Sequence, residues 1–372
     1  MKPRRATGLS VGVSISLMIL GLIACVPSWG PVQVTSPATG ATPLPATPTF
    51  GPTATATPIS TPAQASSMPR LSPTPLTAKP TTMPASASYH YGLVYAYSSN
   101  DWTEADRPAI RKHFGYLREM GVNTIVQIFS SRLIGSGREQ DWLILLDEAE
   151  QANIQVIARL WPSNDWNGSE FNFQTIQSFL AVVQNHPALL AYLGLHEPLE
   201  QFNSDQLQSF YTGVKRLAPQ LAIANYMGNM AWFDKNLRFP NRAFGAGICD
   251  ICIIYYYPAR EVNGQPVLDQ DMLREVLRTN RKLVDERAPR AQLWFLGQAY
   301  TLRGYRPPLR MPTPEEMETI YLTAMQERVD GFLWYPWVQA NYDQVLSDPE
   351  MEPQRQAVRR IFENHILATR TP

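Results

Sequence analysis

Short apolar runs of strand length recur along the chain beyond residue 88. Between them lie stretches in which apolar positions return every third or fourth residue. The runs at 92–97, 124–129, 155–161, 190–195, 221–225, 251–257, 292–297 and 331–335 are rich in Val, Ile, Leu and aromatic residues and predict strands. The stretches at 107–120, 142–152, 175–185, 205–217, 271–287 and 314–328 predict amphipathic helices. Gly121 closes the first of these as a helix C-cap does. Thr313, Pro314 and Glu316 open the last as cap, first-turn proline and capping box. Strands that alternate with helices need parallel pairing, and eight such units fill a domain of the usual barrel length. The fold predicted is therefore an α/β class TIM (β/α)8 barrel over residues 88–369. Its weakest unit is 230–241, where the apolar pattern is irregular. An open doubly wound sheet is the alternative, but no glycine-rich phosphate loop follows the first strand.

The first 87 residues carry a different pattern. A basic start, Met1-Lys2-Pro3-Arg4-Arg5, precedes an apolar stretch that ends in Leu22-Ile23-Ala24-Cys25. That order is the pattern of an export signal. Cysteine behind small residues, with a branched apolar residue three positions before it, resembles the lipobox of bacterial lipoproteins. The resemblance implies a signal peptide at 1–24 and acylation of Cys25, hence a lipid anchor to the membrane and an extracellular location. An ordinary signal peptide with an incidental cysteine, or an uncleaved anchor, are the other two readings; all three export the rest of the chain. Residues 25–87 hold close to half of the 32 prolines, among Thr, Ala and Ser with almost no charge. Such a segment buries too little apolar surface to offset chain entropy, and is expected to be a disordered Thr/Pro-rich linker that acts as a spacer.

Charge and cysteine usage exclude several classes. Lysine plus arginine and aspartate plus glutamate each number 32, and no basic run occurs, so nucleic acid is not an expected partner. The 5 histidines are scattered, and neither a metal nor an organic cofactor is implied. Cys249 and Cys252 have Cys-x-x-Cys spacing, but they border an apolar run. On a strand, residues three apart face opposite sides, so two buried thiols are expected in place of a disulfide.

In a parallel barrel the site collects at the C-terminal strand ends. There the sequence places Tyr97, Asp101 and Trp102 after the first strand, and Trp161, Asp165 and Trp166 after the third. His196-Glu197-Pro198 follows the fourth, Asn225 and Tyr226 the fifth, and Tyr255-Tyr256-Tyr257 the sixth. Gln298 follows the seventh, and Trp334 and Trp337 the eighth. A rim this aromatic points to a carbohydrate ligand, whose C–H faces pack on rings while amides and carboxylates bind its hydroxyls. Some of these rings are expected to pack beneath helices, since alternation separates Tyr255 and Tyr257 from Tyr256.

Glu197, after an apolar strand and before a proline, resembles the acid/base glutamate of the clan A glycoside hydrolases. The preceding His196 is similar to the His-Glu pairing of the family 26 mannanases. The resemblance implies a glycosidase with Glu197 as catalytic general acid, and a nucleophilic glutamate at the end of strand seven. Gln298 stands there, and an amide cannot form a glycosyl ester. Segment 310–337 resembles uncharacterised bacterial hydrolase-like barrels that likewise carry a glutamine at this position. Three outcomes stay open: another carboxylate serves (Asp101, Asp165, Glu261 or Asp343), the enzyme is inverting, or the barrel binds glycan without cleaving it. In the enzymatic reading Asn225 and Gln298 would bind sugar hydroxyls, and Tyr256, Trp334 and Trp337 would form the stacking floor, with Tyr97, Trp161 and His196 beside them. A surface scaffold with no sugar chemistry is the remaining class.

Overall fold

A computed structural model describes residues 89–95, 102–130, 139–161, 171, 173–235, 244–338 and 342–368. Eight parallel strands close a barrel: β1 (His90–Tyr95), β2 (Thr124–Ser130), β3 (Gln155–Trp161), β4 (Leu189–His196), β5 (Ala222–Tyr226), β6 (Ile251–Tyr255), β7 (Gln292–Gln298) and β8 (Gly331–Tyr335). Each strand pairs with its sequence neighbours, and β1 pairs with β8 through His90 opposite Gly331 to seal the ring. The helices around it are α1 (Arg107–Glu119), α2 (Trp142–Gln151), α3 (Phe173–Val183), α4 (Pro198–Gln201), α5 (Ser204–Leu217), α6 (Met230–Lys235), α7 (Gln270–Arg287), α8 (Pro314–Gln326) and α9 (Glu352–Ile361).

Two cores follow from the alternation of side chains along each strand. Inside the barrel Val94, Val126, Ile157, Leu193, Ile253 and Leu333 interdigitate with the large ring of Trp294. The opposite faces, with Tyr91, Ile125, Tyr192, Phe295 and Phe332 among them, pack beneath the helices. Tyr91 ties the outer layer together: its hydroxyl donates to the Val358 carbonyl at 2.8 Å and accepts from Trp334 Nε1 at 2.9 Å. Gly92 is required by crowding, since a Cβ there would lie 2.0 Å from the Thr124 carbonyl oxygen on β2. The capping box expected at α8 forms, with Glu316 N–H donating to Thr313 Oγ1 at 3.2 Å and Thr313 N–H to Glu316 at 2.9 Å.

Two additions decorate the C-terminal side of the barrel. An antiparallel hairpin (Ala259–Val262 with Gln265–Leu268) turns at Asn263 and Gly264, both with positive φ. That pair suits the two-residue turn whose twist matches the strands it joins. A second small pairing joins Tyr300–Thr301 to Gln344–Val345.

One expectation is corrected here. Cys249 and Cys252 form a disulfide, with α-carbons 5.6 Å apart. β6 begins at Ile251, so Cys249 lies in the turn before the strand and the alternation rule does not govern it. The turn brings the α-carbons within the range a bridge spans. The irregular unit after β5 does contain a helix, α6, but a short one.

Candidate active site

The mouth of the barrel is built around a strained glutamate. β4 ends at His196, and Glu197 adopts a left-handed conformation, φ +49° and ψ +47°, before Pro198 opens α4. A side chain bearing a Cβ costs about 1–2 kcal/mol in this region. Strain of this kind concentrates where the surrounding structure holds a residue for function. The Glu197 N–H donates to the Tyr226 carbonyl on β5 at 2.8 Å, which fixes the turn. The turn carries the carboxylate across the mouth to β6, where the Tyr255 hydroxyl donates to Glu197 Oε1. The other oxygen, Oε2, lies 4.0 Å from His196 Nδ1.

The lining follows strand parity. Arg159 lies two residues beyond Ile157 on β3, Tyr226 two beyond Ala224 on β5, Tyr255 two beyond Ile253 on β6, and Tyr335 two beyond Leu333 on β8; the four apolar predecessors belong to the inner core. Above this layer Tyr257 stacks on Tyr255 at 5.4 Å, and Tyr300 and Tyr342 continue the cluster with rings 4.6 Å apart. Tyr342 donates its hydroxyl to that of Tyr335 at 3.3 Å. The Tyr226 ring stands edge-on to His196 at 5.6 Å.

Burial dominates the electrostatics. It raises the Glu197 carboxyl above the ordinary carboxylate range, against the smaller opposing pulls of the Tyr255 hydroxyl and the Arg159 cation. Burial also drives the His196 imidazole well below its ordinary value, and Arg159 adds to the effect. His196 is therefore neutral at neutral pH, and its contact with Glu197 is not an ion pair. The Tyr255 phenol is pushed well up by burial first, then by the charges of Glu197 and Glu200. A carboxyl whose protonated form is favoured by burial, beside a donor that orients it, is equipped to be a proton donor.

The structure separates the residues nominated from sequence. Glu197 and His196 stand in the mouth. Tyr97, Asp101 and Asp165 lie outside the described residues, as does the side chain of Trp161, whose backbone ends β3. Asn225 does not face a ligand: its Oδ1 accepts from the Leu195 N–H at 2.9 Å and its Nδ2 donates to the Ile248 carbonyl at 2.8 Å. Gln298 is fully buried and equally committed, accepting from the Ala259 N–H at 2.9 Å and donating to the carbonyls of Ala259 and Arg310 at 3.0 and 2.8 Å. It anchors the hairpin to the end of β7. Tyr256 points away from the mouth; its hydroxyl donates to Asp269 at 2.7 Å and its ring lies under the Arg260 guanidinium. Trp334 faces the outer core and Trp337 is buried beside His113, so neither forms a stacking floor. Asp343 accepts from the Arg303 N–H at 2.7 Å, and Glu261 is exposed on the hairpin; neither hydrogen-bonds to Glu197. The tyrosines that line the mouth are Tyr226, Tyr255 and Tyr335, with Arg159 opposite. Parity with the inner apolar residues carried that signal for all four.

No protein-family model and no curated protein sequence matches the chain. Solved structures do resemble it in fold. A GH5_18 protein from Bifidobacterium longum superposes with a TM-score of 0.56 at 10% identity, covering 75% of this chain and 80% of that one. The GH5_18 protein of Streptomyces cattleya in complex with GlcNAc gives 0.54 at 13% identity, over 75% and 81%. A GH99 endo-α-mannosidase from Bacteroides thetaiotaomicron gives 0.50 at 11% identity, over 70% and 86%. At these identities the likeness is one of architecture: the chain folds as a glycoside hydrolase-like (β/α)8 barrel.

Proposed function

We propose that the chain is a glycan hydrolase of the cell exterior in which Glu197 is the general acid. One observation carries the reading. A buried glutamate is held in a left-handed turn at the end of β4, its proton favoured by burial and its carboxyl oriented by the Tyr255 hydroxyl. Glu197 donates that proton to the glycosidic oxygen as the C–O bond breaks, so the leaving sugar departs as an alcohol and not as an alkoxide. Charge then passes to Glu197, where the Arg159 cation and the Tyr255 donor stabilise it. The tyrosine rings of the mouth offer faces on which pyranose C–H groups pack.

Export and an anchor at Cys25 belong to the same proposal. The Cys249–Cys252 disulfide supports it, because such bridges persist in oxidising compartments outside the cytosol. Palmitate labelling of the chain, lost in Cys25→Ala, tests the anchor.

The test of the reaction is reducing-end release by the full chain from a panel of α-mannan, β-mannan and N-acetylglucosamine-containing glycans. Glu197→Gln runs in parallel. Release by the wild type that disappears in the variant supports the reading; release that survives in it sinks the assignment of Glu197. The second reading is a barrel that binds glycan without cleaving it. Gln298 favours it, because the residue where the clan A resemblance expects a nucleophile is tied wholly into the hairpin. Binding without release would establish that reading.

A further inference from the structure

We infer that Glu200 is the second carboxylate of this site, the group that takes a proton from the attacking water. The inference rests on the reading of Glu197 as the acid. The Glu200 N–H donates to the Glu197 carbonyl at 3.0 Å, which closes a four-residue turn. A turn so closed holds its first and last α-carbons within about 7 Å. Both carboxylates therefore spring from one short segment, Glu197-Pro198-Leu199-Glu200, at the end of β4. Pro198 and Leu199 between them are buried, and Leu199 is fully so, which pins the segment to the barrel wall.

The two environments are opposed. Glu197 is 8% exposed, whereas Glu200 is open to solvent, which hydrates a negative charge. The charge of Glu200 is felt at the Tyr255 hydroxyl, the same group that donates to Glu197. A buried carboxyl and a solvated one on the same short segment are an arrangement that can divide acid from base.

A second, independent feature marks the place of the sugar. The Tyr226 hydroxyl is buried on the inner wall and has no hydrogen-bond partner among the described residues. A buried hydroxyl left without a partner costs about 1–3 kcal/mol. It lies beside His196, one residue before the Glu197 turn, where a sugar hydroxyl entering the mouth would complete it. In the step itself the Glu197 proton passes to the glycosidic oxygen while the bond from that oxygen to the anomeric carbon breaks. The water oxygen bonds to the anomeric carbon, and the proton it sheds goes to Glu200. One water is consumed, and solvent returns the proton from Glu200 to Glu197.

The experiment compares the full-length wild type, Glu200→Gln, Glu200→Ala and Glu197→Gln on the glycan panel above, with circular dichroism to check folding. Expected is a fall in kcat of about 100-fold or more in Glu200→Gln with KM within about threefold. Azide added to Glu200→Ala should restore turnover, because an anionic nucleophile needs no base, with glycosyl azide as product. A Glu200→Gln chain within about threefold of wild type, beside an inactive Glu197→Gln, overturns the role of Glu200 and leaves that of Glu197 standing. Undiminished rates in both variants, or no release by the wild type from any glycan it binds, overturn the two together.

Discussion

Replacing Gln298 by Glu restores on paper the carboxylate that the clan A resemblance expects at the end of strand seven. The structure says that this change yields instability and no nucleophile. The Gln298 amide donates to two carbonyl oxygens, those of Ala259 and Arg310, and accepts from the Ala259 N–H, all at 2.8–3.0 Å and without solvent exposure. A neutral glutamic acid can donate to only one of those carbonyls, and the lost bond costs about 1–3 kcal/mol. An ionised one faces a carbonyl oxygen with no proton between them. Buried carboxyls can hold their proton up to a pKa of about 8–9. Against an unfolded value near 4.3, the native state then binds the proton more tightly. Stability is lost as pH rises from about 4.3 towards that higher value, adding roughly 5 kcal/mol of destabilisation by pH 8. Urea unfolding of the variant and the wild type at pH 5 and pH 8 measures both parts. A small deficit at pH 5 and a large one at pH 8 is expected, with no gain of glycan hydrolysis. A variant as stable as the wild type at pH 8, or one newly or more active, would refute the anchoring role assigned to Gln298.

Four further outcomes are expected. Glu197→Gln should stabilise the fold at neutral pH: the raised carboxyl makes wild-type stability fall as pH climbs above about 4.3, and the neutral amide lacks that dependence, so melting temperatures of the two should converge at pH 4 and part by pH 8. Tyr255→Phe removes the hydrogen bond that pulls the Glu197 carboxyl down, so the alkaline limb of a kcat–pH profile should move to higher pH. The Cys249–Cys252 bridge closes only a short loop, so its reduction should cost about 2 kcal/mol in denaturant unfolding. Trp334→Phe loses the donor to the Tyr91 hydroxyl and should cost about 1–3 kcal/mol of stability while leaving glycan affinity unchanged, because Trp334 lies in the outer core.

The barrel was legible because its signal is repeated and local. Runs such as 155–161 and 331–335 coincide with β3 and β8, and the capping box at Thr313 forms as its spacing implies. The lining of the barrel mouth is legible only where chemistry and strand parity agree. Glu197 follows its strand directly, so its placement needed no tertiary information. Tyr256 was preferred over Tyr255 although β6 shares its inward parity with Tyr255, through Ile251 and Ile253. Trp334 failed on the same rule, since Leu333 is the inward residue of its strand. Asn225 and Gln298 failed for another reason. An amide at a strand end looks the same in sequence whether its partners are sugar hydroxyls or backbone groups contributed by residues distant in the chain. The Ile248 and Arg310 carbonyls that occupy them come from loops whose paths no local pattern encodes. The disulfide escapes the alternation rule because Cys249 lies in the turn before β6 and only Cys252 is on the strand.

The chemistry of the mouth turns on how few protons in it can move near neutral pH. Burial holds the phenols of Tyr226, Tyr255 and Tyr335 above their ordinary range, so they stay neutral donors. Burial and Arg159 hold His196 below its own, so it too stays neutral. Arg159 remains charged at any pH the protein meets. Of these inner-wall groups Glu197 alone has its titration moved towards neutral pH, and it is the one held by a strained turn. The alkaline limb of the rate should therefore follow a carboxyl and not an imidazole. His196→Asn tests this directly. Asparagine keeps a polar side chain beside Glu197 but removes the only imidazole in the mouth among the described residues. The kcat–pH profile of the glycan reaction should keep both limbs, moving by no more than the small change in Glu197 burial allows. Loss of a limb near pH 6 would mean that His196 carries the working proton, and that the burial at the end of β4 serves the imidazole instead of the carboxyl.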